Sequence, residues 1–149
     1  MPDSAPSVEI WALDYLKQRY PILMVDRVLS HEISKKIRAL KSITVNDIHF
    51  KGHFPGAPVF PGVLTIESFA QTAAILIRME DGETPGVYDV IGSVLEFKFF
   101  RPLVPGDRLE IQMEITTAIG TNRIIAGKGF VGEEIVASGK FTFGKFKKT

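Results

Sequence analysis

The stretch Pro61-Gly62-Val63-Leu64-Thr65-Ile66-Glu67-Ser68-Phe69-Ala70-Gln71-Thr72-Ala73-Ala74-Ile75-Leu76-Ile77-Arg78-Met79 decides how this chain folds. Its apolar members, Val63, Leu64, Ile66, Phe69, Ala70, Ala73, Ala74, Ile75, Leu76, Ile77 and Met79, cover nearly the full circumference of a helix, and a helix apolar all round is a buried one. Pro61 suits the first turn, where its missing N–H has no intrahelical partner in any case. The run approaches bilayer-spanning length, yet Glu67, Ser68 and Gln71 interrupt it, which fits a buried helix of a soluble protein and not a membrane span.

On the N-terminal side, Lys51 to Gly62 packs three glycines and three prolines into twelve residues, a composition that predicts an ordered loop and no regular element. Before it, the β-branched residues Val25, Val28, Ile33, Ile37, Ile43 and Val45 flank a polar break at Ser34-Lys35-Lys36, which predicts a strand pair over 22–45. Ile10, Trp11, Leu13 and Leu16 fall at helical spacing ahead of Arg19-Tyr20-Pro21, where proline disfavours helix, and predict a short N-terminal helix. On the C-terminal side, beyond the break at Glu80 to Gly86, everything reads as strand. Leu109, Ile111, Met113 and Ile115 alternate with Arg108, Glu110, Gln112 and Glu114, the signature of a half-buried strand. Val87 to Phe100 precedes it across Pro105-Gly106-Asp107, and Arg123 to Val131 and Ile135 to Phe143 follow, joined by Gly132-Glu133-Glu134. One long helix among six strands implies an α+β fold in which a mostly antiparallel sheet wraps the helix.

Composition narrows the function further. The 149 residues, 45% hydrophobic and 23% charged, are expected to form one domain over 1–149 with an ample core. The lack of cysteine excludes a disulfide scaffold, a Cys-ligated metal site and a thiolate nucleophile, and fits a reducing, cytoplasmic compartment. A net charge of +1 argues against nucleic acid as a partner, and the one basic cluster, Lys145, Lys147 and Lys148, reads as a solvated tail. Met1 to Val8 carries Asp3 and two prolines where a secretion signal needs a basic region and an apolar run.

Three features carry chemistry. Glu67 falls in the second turn of the buried helix, and its neighbours Val63, Leu64, Ala70 and Gln71 include no cation. Burying a lone carboxylate costs several kcal/mol, so Glu67 either lies on a narrow exposed stripe with Ser68 and Gln71 or is a carboxylic acid held as a proton donor in apolar surroundings. His53, in Gly52-His53-Phe54-Pro55-Gly56, is a loop histidine bonded to a carbonyl or a general base or acid held by a rigid loop. His49 could pair with it at a metal, but the residues between them do not form the helical His-Glu-x-x-His pattern, and no metal is expected. His31, in the strand pair, carries no signal. The third feature is the helix N-terminus at Gly62 and Val63, whose unpaired N–H groups could stabilise a carbonyl oxygen gaining negative charge. Base, acid and oxyanion donors between 53 and 67 fit proton abstraction beside a carbonyl better than hydrolysis.

Competing motifs fail. No Gly-x-Ser-x-Gly elbow is present, and Gly120 to Gly127-Lys128-Gly129 has the wrong spacing for a phosphate loop, so these glycines read as small strand residues. Phe97, Phe99 and Phe100 read most simply as core aromatics, with the lining of an apolar channel as the alternative.

The segment from Gly52 to Gln71, with Gly52-His53-Phe54-Pro55-Gly56 and Phe60-Pro61-Gly62-Val63-Leu64-Thr65-Ile66-Glu67 inside it, resembles the signature of the (3R)-hydroxyacyl-(acyl-carrier-protein) dehydratases of type II fatty acid synthesis. Arg19-Tyr20-Pro21, Val25-Asp26-Arg27-Val28 and Phe99-Phe100-Arg101-Pro102-Leu103-Val104-Pro105-Gly106-Asp107 extend the resemblance over most of the chain. It implies the hotdog fold, a homodimer whose active sites take histidine and glutamate from different subunits, and often a hexamer built as a trimer of dimers. It makes His53 the group that removes the α-proton, Glu67 the one that helps the 3-hydroxyl leave as water, and the Gly62 N–H, with Val63 beside it, the donor to the thioester carbonyl. A related dehydratase/isomerase branch has aspartate where this chain has Glu67, so the likeness favours dehydration alone, with no cofactor. The family usually shows Pro-His where this chain has Lys17-Gln18, and Asp-Lys where it has Leu95-Glu96. Because the acyl carrier is acidic in that family, Lys17, Arg19, Lys98 and Arg101 are expected to contact it. A hotdog thioesterase and a non-catalytic subunit that binds the acyl carrier are the competing readings.

Overall fold

The computed structural model describes residues 8–149. The N-terminal stretch read as lacking a secretion signal lies, apart from Val8, outside them. Seven strands and one long helix form: β1 (Ile10–Trp11), β2 (Arg27–Glu32), β3 (Lys36–Ser42), α1 (Gly62–Asp81), β4 (Val87–Phe99), β5 (Arg108–Ile119), β6 (Asn122–Val131) and β7 (Glu134–Lys147). They make one sheet in the order β1-β2-β3-β5-β6-β7-β4, with every neighbouring pair antiparallel. The α+β hotdog arrangement expected from the resemblance is the one that forms, with α1 packed against strands of the sheet.

The N-terminal helix does not form. Ile10 and Trp11 pair with Val28 and Arg27 as a seventh strand, and only a 3-10 turn, Ala12–Asp14, follows. The Ala12 N–H donates to the Asp26 carbonyl at 3.1 Å, so the backbone donors of this segment find partners across the sheet. A helix of seven residues has no comparable return, because nucleation is costly for so short a stretch. The basic tail is also corrected: β7 runs to Lys147, and Lys145 makes ion pairs with Asp81 and Asp89. Burial opposes the charge on Lys145, but those two carboxylates outweigh it and raise its pKa above the ordinary lysine value.

The core lies between α1 and the inward face of the sheet. Phe69, Ala73, Ile75 and Leu76 are fully buried in one apolar cluster with Ile37, Ala39, Leu109, Ile111, Met113, Ile125 and Phe141. Each large aliphatic or aromatic side chain so buried contributes about 1.5–3 kcal/mol. Polar side chains on the buried part of α1 are satisfied: the Ser68 hydroxyl donates to the Leu64 carbonyl and Thr72 to Ser68. Gly127 and Gly129 of β6 and Gly139 of β7 make space on their strands, whereas Gly120, read with them as a strand residue, lies in the β5–β6 turn at φ +59°. A Cβ at Gly127 would run into the Gln112 carbonyl, and one at Gly139 would enter the ring of Phe97.

α1 is less uniformly buried than its apolar circumference predicts. From Ser68 to Ala73 no residue meets solvent appreciably, but Val63 is 72% exposed and Leu64, Ile66 and Glu67 are only partly covered. This first part of the helix lies beside the end of β4, with Gly62 against Phe99, and β4 closes the sheet on one side with β7 as its sole strand neighbour among the described residues.

Candidate active site

The loop that carries His53 is held by tertiary hydrogen bonds, since its glycines and prolines deny it a ladder. A second 3-10 turn, Ile48–Lys51, leads into it, and the His49 carbonyl accepts from the His53 N–H at 3.1 Å. Phe54 and Ala57 exchange backbone hydrogen bonds, Val59 N–H returns to the His53 carbonyl, and Phe60 N–H donates to Leu103. The His53 ring is fixed as well. Its Nδ1 lies 2.7 Å from the Val59 carbonyl, which can only accept, so Nδ1 is the donor, and in the neutral ring this leaves the lone pair on Nε2. Phe54 stacks on the imidazole with ring centroids 3.9 Å apart. The carbonyl-bonded loop histidine of the sequence reading is present, and that bond is compatible with a free Nε2.

His53 opens onto a cleft of about 350 Å³ lined by Val59, Gly62, Thr65, Phe99 and Leu103 among others. Pro61 caps α1, and its carbonyl accepts from Leu64 and Thr65, which leaves the Gly62 and Val63 N–H groups without an acceptor among the described residues. A Cβ on Gly62 would stand 3.1 Å from the Phe99 ring, so glycine keeps this end of the helix open to a ligand. His53 and Gly62 line one cleft, and Val63 is not among its lining residues. Phe99 and Phe100 differ from the core assignment: they line this cleft and are 49% and 57% exposed, whereas Phe97 packs against Phe69 and Phe141.

Glu67 is not among the residues lining that cleft. The exposed stripe proposed for Glu67, Ser68 and Gln71 does not exist, because Ser68 and Gln71 are fully buried. No cation among the described residues pairs with Glu67. Its Oε1 accepts instead from the Gln71 amide at 2.7 Å, one helical turn on. The same amide nitrogen donates to the Ile22 carbonyl and the Gln71 oxygen accepts from the Met24 N–H, each at 2.7 Å. Gln71 is the residue that sequence reasoning undervalued. Its signal was present, since positions i and i+4 meet on a helix and a buried glutamine must spend its polar atoms on something.

The four cations expected to meet an acyl carrier do not form one patch. Lys17 donates to the Val87 carbonyl and sits 4.1 Å over the Tyr88 ring, beside a groove reached by Ala74 and Arg78 in the second half of α1. Arg19 donates to the Leu16 and Gln18 carbonyls. Arg101 borders the His53 cleft at the other end of the helix and is paired with Asp107 and Glu134. Lys98 is exposed on β4. Burial pushes the Asp107 carboxyl up, but the Arg101 guanidinium and the Val104 N–H outweigh it and hold the carboxyl below its ordinary range. His49 Nε2 lies 3.1 Å from the Pro21 carbonyl and 3.7 Å from Asp47, and His31 is exposed on β2.

The model of the FabA-like domain matches residues 16–140, which include every element from β2 to β6 and the first half of β7. The chain belongs to the FabA-like family. Among its relatives, the 3-hydroxyacyl-[acyl-carrier-protein] dehydratase FabZ of Clostridium kluyveri is 41% identical over 128 residues, covering 86% of this chain and 88% of that protein. Of solved structures, the dehydratase heterocomplex ApeI:P from Xenorhabdus doucetiae superposes with a TM-score of 0.77 at 14% identity, covering 94% of this chain and 92% of that one. A hypothetical thioesterase with coenzyme A from Streptococcus pneumoniae superposes with a TM-score of 0.61 at 11% identity, covering 81% and 85%. The hotdog fold of this FabA-like chain is therefore shared by dehydratases and thioesterases alike, and its chemistry must be argued from the site.

Proposed function

We propose that this FabA-like protein removes water from a (3R)-3-hydroxyacyl thioester on an acyl carrier protein, giving the trans-2-enoyl thioester in fatty acid or related lipid synthesis in the cytoplasm. The observation that carries the reading is the His53 ring, whose Nδ1 is committed to the Val59 carbonyl while Nε2 shares a cleft with the free N–H end of α1. His53 Nε2 takes the proton from C2. The thioester oxygen, gaining negative charge, accepts from the Gly62 N–H, with the positive end of the helix dipole behind it. A Glu67 carboxylic acid gives its proton to the 3-hydroxyl as the C3–O bond breaks, so one water leaves and the proton taken by His53 returns to the carboxylate through solvent.

Glu67 of the partner subunit supplies the acid in this scheme, because the carboxyl of the same chain does not line the His53 cleft. The exposed apolar side chains of Val63, Phe54, Val94 and Leu95, with the free edge of β4, favour a homodimer that covers them. The carrier's acidic surface would meet the cations at the two ends of α1, and weakening of carrier affinity by salt tests that contact.

The deciding assay follows a 3-hydroxyacyl carrier-protein substrate with wild type, His53→Ala and Glu67→Gln. Each variant is expected to lose at least ~10²-fold in rate, the usual scale for a positioned acid or base. Wild-type rates in both variants, release of free thiol, or carrier binding without turnover would each defeat the reading, the last two in favour of a thioesterase or a binding subunit.

A further inference from the structure

The inward face of β3 reads Ile37, Ala39, Lys41, and the lysine stands where the alternation calls for an apolar residue. Lys41 is only 8% exposed. Its Nζ lies 3.5 Å from the Asp47 carboxylate and 3.1 Å from the Ser42 carbonyl, and 5.9 Å from the centre of the buried Phe60 ring. Asp47 is nearly as enclosed, with 11% of its side chain exposed. Its only other charged neighbour within 4 Å among the described residues is His49, at 3.7 Å.

Two apolar residues in these places would avoid the desolvation that an enclosed ion pair incurs. The pair is better understood from what Asp47 precedes. It is the residue that enters the 3-10 turn Ile48–Lys51, and its carbonyl accepts from Phe50. One residue into that turn, the His49 carbonyl accepts from the N–H groups of both Gly52 and His53. A direct chain of contacts therefore runs from a strand of the sheet, through Lys41 and Asp47, to the backbone of His53. Phe60, under the Lys41 ammonium, is bonded at the far end of the same loop to Leu103.

We propose that Lys41 and Asp47 are positioning residues that hold the His53 loop in register on the sheet, so that Nδ1 meets the Val59 carbonyl and Nε2 faces the cleft. They touch no reacting atom. The role rests on His53 being the base, as argued above. A misplacement of about 1 Å at a reacting group can cost on the order of 10²-fold in rate, and a two-residue anchor behind a ladder-free loop guards against it.

The test compares Lys41→Met, Asp47→Asn, the double variant and Lys41→Arg. Each single neutralising substitution leaves the other charge enclosed and is expected to lower both thermal stability and kcat. The double variant removes both charges and is expected to regain stability, because a neutral pair carries no enclosed charge, while kcat stays about 10-fold or more below wild type at nearly unchanged KM. Lys41→Arg keeps the ion pair and is expected to restore most of kcat. The His53 ring nitrogens, followed by NMR, should lose their single Nδ1–H tautomer in the double variant. Wild-type kcat or an unchanged tautomer in a folded double variant would overturn the proposal. Absence of dehydration by wild type would defeat the functional reading alone, and the tautomer would still decide whether the pair positions His53.

Discussion

Helix α1 and the loop from Gly52 to Pro61 carry the two titratable groups of the proposed reaction, and they hold them by opposite means. α1 is rigid by its own hydrogen-bond ladder and by burial of Phe69, Ala73 and Leu76. Glu67 needs only one extra contact to be oriented, and Gln71 supplies it from the next turn. The loop has no ladder. His53 depends on one hydrogen bond to His49 and two to Val59, on the Phe60–Leu103 bond that closes the loop, and on packing of Phe50 and Phe60. A group on a buried helix inherits its position from the core, whereas a group on such a loop has it assembled from pins drawn from distant parts of the chain.

The most decisive way to test that contrast asks whether the two groups work in one chain or across two. His53→Ala and Glu67→Gln, each inactive alone, are unfolded together and refolded as a mixture. If a dimer site takes His53 from one subunit and Glu67 from the other, random pairing should restore about a quarter of the wild-type sites, as two-fold symmetry requires. Activity no higher than that of either variant would mean that each chain completes its own site.

A smaller effect probes the helix side. Gln71→Leu preserves most of the apolar packing but leaves the Met24 N–H and Ile22 carbonyl without their buried partners. Each such loss costs about 1–3 kcal/mol, so the melting temperature should fall by several degrees. Freed from the amide, Glu67 should lower kcat with little change in KM. A stability loss with kcat per folded molecule intact would mean that Gln71 anchors the 22–24 segment and does nothing for the carboxyl.

Much of this arrangement was legible in the residues. The apolar run after Pro61 marks α1, the alternation from Leu109 to Ile115 marks β5, and the Gly/Pro density from Lys51 to Gly62 marks the loop, because each pattern is local and its period is set by backbone geometry. The pairing of His53 with Gly62 was legible because only nine positions separate them. The N-terminal segment misled because its helical spacing competes with strand partners at Val28 and Arg27, and no local pattern reveals that competition. Phe99 and Phe100 fall to the alternative of a channel wall and not to the core, because an aromatic at a cleft wall and one in a core look alike until the end of the sheet is known. Lys41 was visible as a charge on an apolar strand face, but its partner Asp47 belongs to the adjoining loop, and only the folded chain shows the two enclosed together.

The smallest expected effect concerns the wall of the loop's cleft. Asp107 accepts from Arg101 Nη1 at 2.8 Å and from the Val104 N–H at 3.0 Å, which ties the turn after Phe100 to the rim of the His53 cleft. Its carboxyl is held below the ordinary aspartate range, so it binds a proton less readily in the folded chain than in the unfolded one. The stabilisation is then fully present above about pH 4, the ordinary aspartate value, and is lost as the pH falls through the lowered folded value. Asp107→Asn should lower stability modestly at neutral pH, since the Arg101 side chain is partly exposed and solvent screens the pair. The variant and wild type should converge in stability as acid protonates Asp107 in the wild type. A gap between them that stays constant down to the acid limit would mean that the carboxylate charge does not brace this wall, and that its hydrogen-bond geometry, which asparagine imitates imperfectly, is what holds the turn.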